Sequence, residues 1–258
     1  MAHSWDAGTY LRFADERSRP FFDLLSRVGA SSPAYVVYLG CGPGNLTVTL
    51  RQRWPQARVH GVDSSAEMVD EAQARADEQL TFEIADLRDF RPAERVDVLV
   101  SNATLQWVPG HLDLLADLLG VLAPGGWLAF QVPGNFGSPS HRLLHELASD
   151  PRFAPYCEGV ERPASHDPEA YLGRLAELGM RADVWETTYL QVLQGPDPVL
   201  RWMQGTGARP VLQALPDDLR DEFEREYAAA LREAYPASEF GTVLPYRRVF
   251  AVGQVAGG

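Results

Sequence analysis

Three glycines at alternate positions form the part of the sequence whose residue types and spacing point most directly to ligand binding. Gly40, Gly42 and Gly44 follow the apolar run 36–39 and precede a helical stretch. Glycine permits a tight turn and lets backbone N–H groups approach a ligand closely. The spacing is GxGxG and not the GxGxxG of a dinucleotide-binding turn, because Asn45 stands where the third glycine would be. The turn therefore predicts a ligand site and argues against NAD-dependent oxidoreduction.

Acidic residues follow the next two predicted strands. Asp63 ends the second strand, where a carboxylate can accept both ribose hydroxyls of an adenosine group, and Asp86 follows the third, within reach of an adenine amino group. Met68 lies one turn into the helix after Asp63 and can pack on a face of the base. Each also has a structural alternative, a cap or turn for the acids and core packing for Met68. Because open α/β sheets bind ligands at the carboxyl ends of their strands, the group predicts an adenosine site.

The elements that position these residues alternate between short apolar runs and amphipathic segments, which is typical of a parallel sheet with crossover helices. We therefore predict a doubly wound α/β fold. The strands are expected at residues 34–39, 58–62, 80–84, 96–101, 127–132, 183–192 and 248–255, and the helices between the first five at 45–54, 65–76 and 111–122, the last ended by Ala-Pro-Gly-Gly at 123–126.

Three further segments are predicted to decorate a single domain that spans residues 1–258. Residues 1–30 are expected to form a helical lid, with Pro20 ending one helix or opening the next. Residues 134–168, rich in Gly, Pro and Ser, are expected to be a loop with one helix near 141–148. Residues 196–243 are expected to form a helical insert before the last of seven strands.

Composition excludes several classes of partner and chemistry. The 258 residues carry 23 basic and 35 acidic side chains, and a net charge of −12 disfavours nucleic acid and membrane partners. All basic residues other than histidine are Arg, so Schiff-base chemistry on Lys is excluded. Two Cys and six scattered His have no metal-ligand spacing, so no metal is expected. The N-terminus lacks an apolar export signal, which predicts a cytoplasmic protein of unknown oligomeric state.

The glycine turn at residues 39–44 and Asp63 resemble the class I S-adenosylmethionine-dependent methyltransferases, which implies a Rossmann-like fold, a mostly parallel seven-stranded sheet and S-adenosyl-L-methionine as cofactor. Segments 10–13, 16–20, 63–65, 101–107, 185–189 and 206–210 are similar to the trans-aconitate 2-methyltransferase family, nearly from end to end. The resemblance implies that the cofactor-binding residues are Gly40, Cys41, Gly42, Gly44, Asp63, Ser64, Met68, Asp86, Leu87, Asn102 and Gln106, with Tyr10 and Arg19 closing over the methionyl end.

The same resemblance implies the formation of a methyl ester on a carboxylate of a small polycarboxylic acid, trans-aconitate. No general base is expected, because a carboxylic acid with a pKa of about 4 is ionised at neutral pH. The main task of the site is then to position the substrate. Arg209 and Arg248 are candidates for holding the other carboxylates, with surface ion pairs as the alternative. Trp107, Tyr189 and Tyr246 are candidates for the wall of the site, with core packing as the alternative for Trp107.

One residue departs from the family pattern. The family carries an acid immediately before Leu-Gly-Cys-Gly, near the amino end of the cofactor, and this chain has Tyr38. Loss of that charge predicts weaker cofactor binding, which an Asp at position 38 would restore unless Tyr38 makes a contact of its own. Two alternatives stay open: a methyltransferase for a different small-molecule acceptor, and a cofactor-binding protein with lost or altered activity.

Overall fold

The coordinates are a computed structural model that describes residues 14–257, with side chains from Ser18 onward. The chain divides into two compact units. The first comprises Met1–Val132, Ser165–Glu186 and Val249–Gly258, and the second comprises Pro133–Ala164 and Thr187–Arg248. The second unit therefore gathers most of the two segments that were predicted as insertions, whereas the partition into a lid and two inserts stays a prediction.

Apolar runs form a sheet in which seven described strands follow one another in the order β3-β2-β1-β4-β5-β8-β6. The short strand β7 pairs antiparallel with β8. Pairs β1–β2, β1–β4, β2–β3 and β4–β5 are all parallel. The strands are β1 Tyr35–Leu39, β2 Arg58–Asp63, β3 Leu80–Ile84, β4 Val96–Asn102, β5 Leu122–Pro133, β6 Arg181–Leu193, β7 Ala237–Ser238 and β8 Gly241–Gln254.

Helices connect these strands and make up most of the second unit. A 3-10 turn, Leu105–Trp107, follows β4. The described helices are α1 Ala14–Ser26, α2 Asn45–Arg53, α3 Ala66–Gln73, α4 His111–Gly120, α5 Pro139–Ala148, α6 Ala154–Cys157, α7 Pro168–Glu177, α8 Pro198–Gln204, α9 Arg209–Ala214 and α10 Asp217–Ala234. In the described part of the chain, no helix combines the length and apolar character that a membrane span requires.

The central strands are apolar throughout because parallel strands in such a fold are covered on both faces. In β1 the residues from Val36 to Leu39 are all buried, and β4 has the same character. The register sets Leu39 opposite both Val62 and Ser101, and Asp63 opposite Ile84. The carboxyl ends of these strands therefore meet at one edge of the sheet, as the sequence predicted.

The predicted doubly wound α/β class is confirmed by the sheet order and the parallel pairs, whereas two local predictions were wrong. Helix α1 runs through Pro20 without a break. Phe21, Leu24 and Leu25 bury one face of this helix, and such packing stabilises a helix against a locally unfavourable residue. Residues 123–126 were predicted to end a helix, yet α4 ends at Gly120 and β5 begins at Leu122, with an irregular register opposite Val96. The strand continues across this irregularity and regains its register at Trp127.

Candidate functional site

The glycine turn is tied to the neighbouring strand through its backbone. Gly40, Gly42 and Gly44 all have positive φ, at 73°, 56° and 79°. The N–H groups of Gly40 and Cys41 both donate to the carbonyl oxygen of Val62, at 2.7 and 3.0 Å. Left-handed backbone is inexpensive only for glycine, so the three glycines shape the turn that leads into α2.

Adding a Cβ atom at each glycine distinguishes their roles. At Gly40 it would lie 2.0 Å from Oγ1 of Thr104, and at Gly44 it would lie 2.9 Å from the ring of Phe82. At Gly42 it would meet no atom of the described residues within 4 Å. Gly40 and Gly44 are therefore required for packing within the protein, whereas Gly42 faces open space beside the turn. That space is where a ligand can approach the backbone.

Asp63 is bonded directly to this turn. Its Oδ2 accepts from the N–H of Gly42 at 2.8 Å, and its Oδ1 accepts from the N–H of Ser65 at 2.9 Å. Burial raises the pKa of Asp63 above that of an ordinary aspartate, while bonds from the backbone N–H groups of residues 65, 42 and 64 oppose the shift. The carboxylate of Asp63 is thus in direct contact with the turn at Gly42, and its role in binding a cofactor stays a prediction.

Three other candidate cofactor residues lie around Asp63 with different exposure. Ser64 is exposed. Met68 is 4% exposed in α3, and its N–H donates to Oγ of Ser65, the N-cap. Cys41 is 3% exposed, and burial together with the charge of Asp63 raises the pKa of its thiol. The thiol of Cys41 is therefore protonated, and the proposed contact of Cys41 with the cofactor stays a prediction. The proposed contact of Met68 with a base stays a prediction.

Asp86 and Leu87 follow β3. The carboxylate of Asp86 pairs with Arg88, whose Nε donates to Oδ1 at 2.9 Å, and this guanidinium lowers the pKa of Asp86. Leu87 is 8% exposed and belongs to the hydrophobic core of the first unit. Asp86 is therefore ionised and held by its neighbour, and its proposed bond to an adenine amino group stays a prediction.

The residues after β4 form a polar group at the same edge of the sheet. Asn102 and Gln106 are each 6% exposed. Oδ1 of Asn102 accepts from Nε2 of Gln131 at 2.5 Å, and Nε2 of Gln106 donates to the carbonyl oxygen of Ala103 at 2.5 Å. The sequence analysis proposed Asn102 and Gln106 for the site and did not include Gln131. The signal for Gln131 was a lone polar residue in the otherwise apolar run 128–132.

Tyr38 packs as an aromatic core residue. It is 2% exposed, and its ring stacks on that of Phe21 in α1, with 5.4 Å between the ring centroids and 28° between the planes. Tyr38 thus has a contact of its own in the place where the resemblance implied an acid. Arg19, on α1, is exposed. Tyr10 lies outside the described residues.

Four of the substrate-side candidates belong to the second unit. Arg248 is 5% exposed, and its guanidinium carbon lies 4.4 Å from the ring centroid of Tyr246. The ring of Trp202 packs edge-on to that of Tyr246, with 5.2 Å between the centroids. Arg209 is partly exposed at the start of α9, and Tyr189 is 4% exposed in β6. Arg248 is therefore held away from solvent by aromatic packing.

Trp107, the remaining candidate, belongs to the first unit. It ends the 3-10 turn after β4 and is partly exposed. Its role in the wall of the site stays a prediction. Among the residues described, no group of three or more His, Cys, Asp or Glu side chains is arranged to hold a metal ion.

The residues at the sheet edge fit an adenosine-containing cofactor. The half-buried carboxylate of Asp63 lies beside a glycine whose face is open among the described residues. The helix that starts at Asn45 has neither a side-chain cap nor an acid in its first turn in this part of the chain. The N–H groups of such a helix end are donors for polar groups of a ligand. The parallel sheet, the glycine turn and Asp63 together define a Rossmann-like domain of the class I methyltransferase type.

Comparison with known proteins places the chain within that class. Residues 36–126 match the family model described as a methyltransferase domain. The trans-aconitate 2-methyltransferase of Streptomyces avermitilis is 55% identical over 96% of this chain and 96% of its own length. The trans-aconitate 2-methyltransferase of Rhodococcus jostii is 50% identical over 97% of this chain and 99% of its own. The chain belongs to the trans-aconitate 2-methyltransferase family.

Solved structures of lower identity share the fold. The YcgJ protein from Bacillus subtilis superposes with a TM-score of 0.60 at 12% identity, covering 92% of this chain and 98% of that one. Geranyl diphosphate C-methyltransferase from Streptomyces coelicolor, solved with S-adenosyl-L-homocysteine, superposes with a TM-score of 0.56 at 17% identity, covering 96% of this chain and 82% of that one. At these identities the likeness concerns architecture alone.

Proposed function

We propose that this protein is an S-adenosylmethionine-dependent O-methyltransferase that forms a methyl ester on a carboxylate of trans-aconitate. The observation that carries the proposal is the bond between Asp63 and the N–H of Gly42, beside the open face of the turn. It occurs in a chain that is 55% identical, over 96% of its length, to a trans-aconitate 2-methyltransferase.

Each part of the cofactor is assigned to residues of this chain. Asp63 holds the ribose, and the open face at Gly42 lets the ligand approach the backbone of the turn. Asp86 and Met68 border the base. Asn102 and Gln106 border the methionyl part, with Tyr10 and Arg19 over it. When bound, S-adenosylmethionine supplies a methyl group on a sulfonium, which makes a side-chain nucleophile unnecessary.

The site must orient the acceptor acid, and it needs no general base. A substrate carboxylate is already ionised at neutral pH, since its pKa is about 4. We assign Arg248 and Arg209 to the carboxylates that are not methylated, because a guanidinium fork matches a carboxylate in two bonds. Tyr246 lies against the guanidinium of Arg248 and holds it in place. Trp107 and Tyr189 are assigned to the wall of the acceptor site.

The remaining parts of the proposal concern partners and location. The acidic balance of 35 acidic to 23 basic side chains favours a small-molecule substrate over nucleic acid or an anionic lipid surface. A cytoplasmic location stays a prediction.

The test is a coupled assay of S-adenosylhomocysteine release across a panel of di- and tricarboxylic acids. We expect trans-aconitate to give the highest kcat/KM and the dicarboxylic acids to give lower values. Equal rates across the panel would contradict a tricarboxylate acceptor. Cofactor binding by calorimetry without release on any acid would support a cofactor-binding protein instead.

A further inference from the structure

A pair of buried amides lies where β4 and β5 reach the cofactor edge of the sheet. Asn102 and Gln131 stand opposite each other in the register of the two strands and are 6% and 1% exposed. Nε2 of Gln131 donates to Oδ1 of Asn102 at 2.5 Å. Burying amides is costly unless they are bonded, and two apolar residues would fill the same position without that cost. The pair therefore calls for a reason beyond packing.

The direction of this bond fixes what Asn102 offers to a ligand. An asparagine amide has one acceptor oxygen and one donor NH2 group. Because Gln131 donates to the oxygen, the oxygen is engaged and the NH2 group points away from Gln131. Within the described part of the chain, Nδ2 of Asn102 has no hydrogen-bond partner. Asn102 is thus held as a hydrogen-bond donor, and the matching ligand group is an acceptor such as a carboxylate.

The next residue, Ala103, is held by bonds to β5 and to the 3-10 turn. Ala103 has a φ of 55°, which is strained for a residue with a side chain. Its N–H donates to the carbonyl oxygen of Gln131 at 2.9 Å, and its own carbonyl oxygen accepts from Nε2 of Gln106 at 2.5 Å. Backbone strain that the surroundings hold in place is a feature of ligand sites.

This segment adjoins the glycine turn. Oγ1 of Thr104 donates to the carbonyl oxygen of Asn102 at 3.2 Å. The side chain of Thr104 fills the space that a Cβ at Gly40 would need. Asn102 is therefore two residues from a side chain in direct contact with the turn, which places its amide beside the cofactor edge.

We propose that Gln131 is a positioning residue that fixes the amide of Asn102 with its NH2 group toward a ligand carboxylate. This inference rests on the proposed function. The carboxylate has two possible sources, the methionyl end of the cofactor and the acid that is methylated. Gln131 itself touches neither, and it acts through Asn102.

The test is Gln131→Glu, which keeps the size of the side chain and replaces the donor with acceptor oxygens. Asn102 then turns its NH2 group toward the introduced carboxylate and presents its oxygen to the ligand. We expect affinity for the carboxylate-bearing ligand to fall about tenfold or more, the factor for one lost hydrogen bond to a charged group. Gln254→Glu is the matched control, because Nε2 of Gln254 donates to the carbonyl oxygen of Gly125, away from the glycine turn.

Calorimetry with two probes identifies the source. If the methionyl end is bound, Gln131→Glu weakens S-adenosylhomocysteine and leaves 5′-methylthioadenosine, which lacks the carboxylate, unchanged. If the acid is bound, both nucleosides keep their affinity and only the KM of trans-aconitate rises. Because the nucleoside titrations need no turnover, they report on Gln131 even if the proposed reaction fails.

A double-mutant cycle separates positioning from a general structural role. In an Asn102→Ala background, Gln131→Glu is expected to cause no further loss of ligand affinity, because the residue through which it acts is gone. An undiminished effect in that background would overturn the proposal. So would equal losses for both nucleosides together with a rise in the KM of trans-aconitate, which would indicate a fold defect.

Discussion

Replacing Asp63 with alanine removes the carboxylate that joins the glycine turn to the end of β2. A carboxylate has about four acceptor positions, and backbone N–H groups of residues 42, 64 and 65 point at this one. At least one position is left for a ribose hydroxyl. One hydrogen bond to a charged group contributes about 1.5 to 3 kcal/mol, so Asp63→Ala should weaken nucleoside binding about 10- to 150-fold.

The same substitution also removes bonds within the protein, so its control must match that loss. Asp97 provides the match, because its Oδ2 accepts from the N–H groups of Ala34 and Tyr35 at 2.7 and 2.9 Å. It lies next to the start of β1, away from the glycine turn. Asp97→Ala should lower the free energy of unfolding and leave nucleoside affinity within about twofold, since surface and cap losses of this kind act on stability.

The assay is isothermal titration of both variants with S-adenosylhomocysteine, together with urea unfolding of each. The reasoning predicts a large loss of affinity for Asp63→Ala alone and a loss of stability for both. Unchanged affinity in Asp63→Ala would remove this carboxylate from the cofactor site. A similar loss of affinity in Asp97→Ala would show that the effect is one of stability.

Four further outcomes follow from the site. Arg248→Ala should raise the KM of trans-aconitate at least tenfold while the KM of the cofactor stays nearly constant, and equal rises in both steady-state constants would indicate a fold defect. Gly42→Ala should weaken S-adenosylhomocysteine in calorimetry and lower the melting temperature only modestly, because alanine is strained at a positive φ while its Cβ enters open space, and a collapse of stability would refute this. Tyr38→Asp should lower the urea midpoint more than Tyr38→Phe, because it buries a carboxylate against Phe21, and tighter cofactor binding at full stability would favour the charge argument instead. Nucleoside affinity should fall as pH drops through the raised pKa of Asp63, whereas Asp63→Asn should show a flatter pH profile.

Protonation of Asp63 is expected to affect cofactor binding and protein stability in opposite directions. Because burial raises the pKa of Asp63, the folded chain binds this proton more tightly than the unfolded chain does. The contribution of Asp63 to stability is therefore present below its unfolded pKa and is lost as pH rises through the folded value. Acid should weaken cofactor binding at this residue without weakening the fold through it.

Much of the first unit could be predicted from the sequence because its signals are local. Buried strands read as short apolar runs, and their carboxyl ends carry the glycine turn and Asp63. The end of β5 shows the limit of this reasoning. Gln131 matters through its bonds to Asn102 and Ala103 on another strand, and a single polar residue in an apolar run does not reveal its partner.

Other features depend on packing that no local pattern contains. Helix α1 continues through Pro20 because its apolar face is buried, although the residue itself disfavours helix interior. Tyr38 was expected as a missing charge, and its stack on Phe21 became visible only when α1 was placed against β1. For Arg209 and Arg248, the sequence predicted a role in holding substrate carboxylates. The burial of Arg248 beside Tyr246 became known only from the fold.

The most direct measurement of the central claim is mass spectrometry of the product formed from trans-aconitate and S-adenosylmethionine that carries a deuterated methyl group. The account predicts one labelled methyl group per product molecule, attached as an ester and released as labelled methanol by alkaline hydrolysis. A label that resists alkaline hydrolysis, or no label on the acid while the cofactor binds, would contradict it.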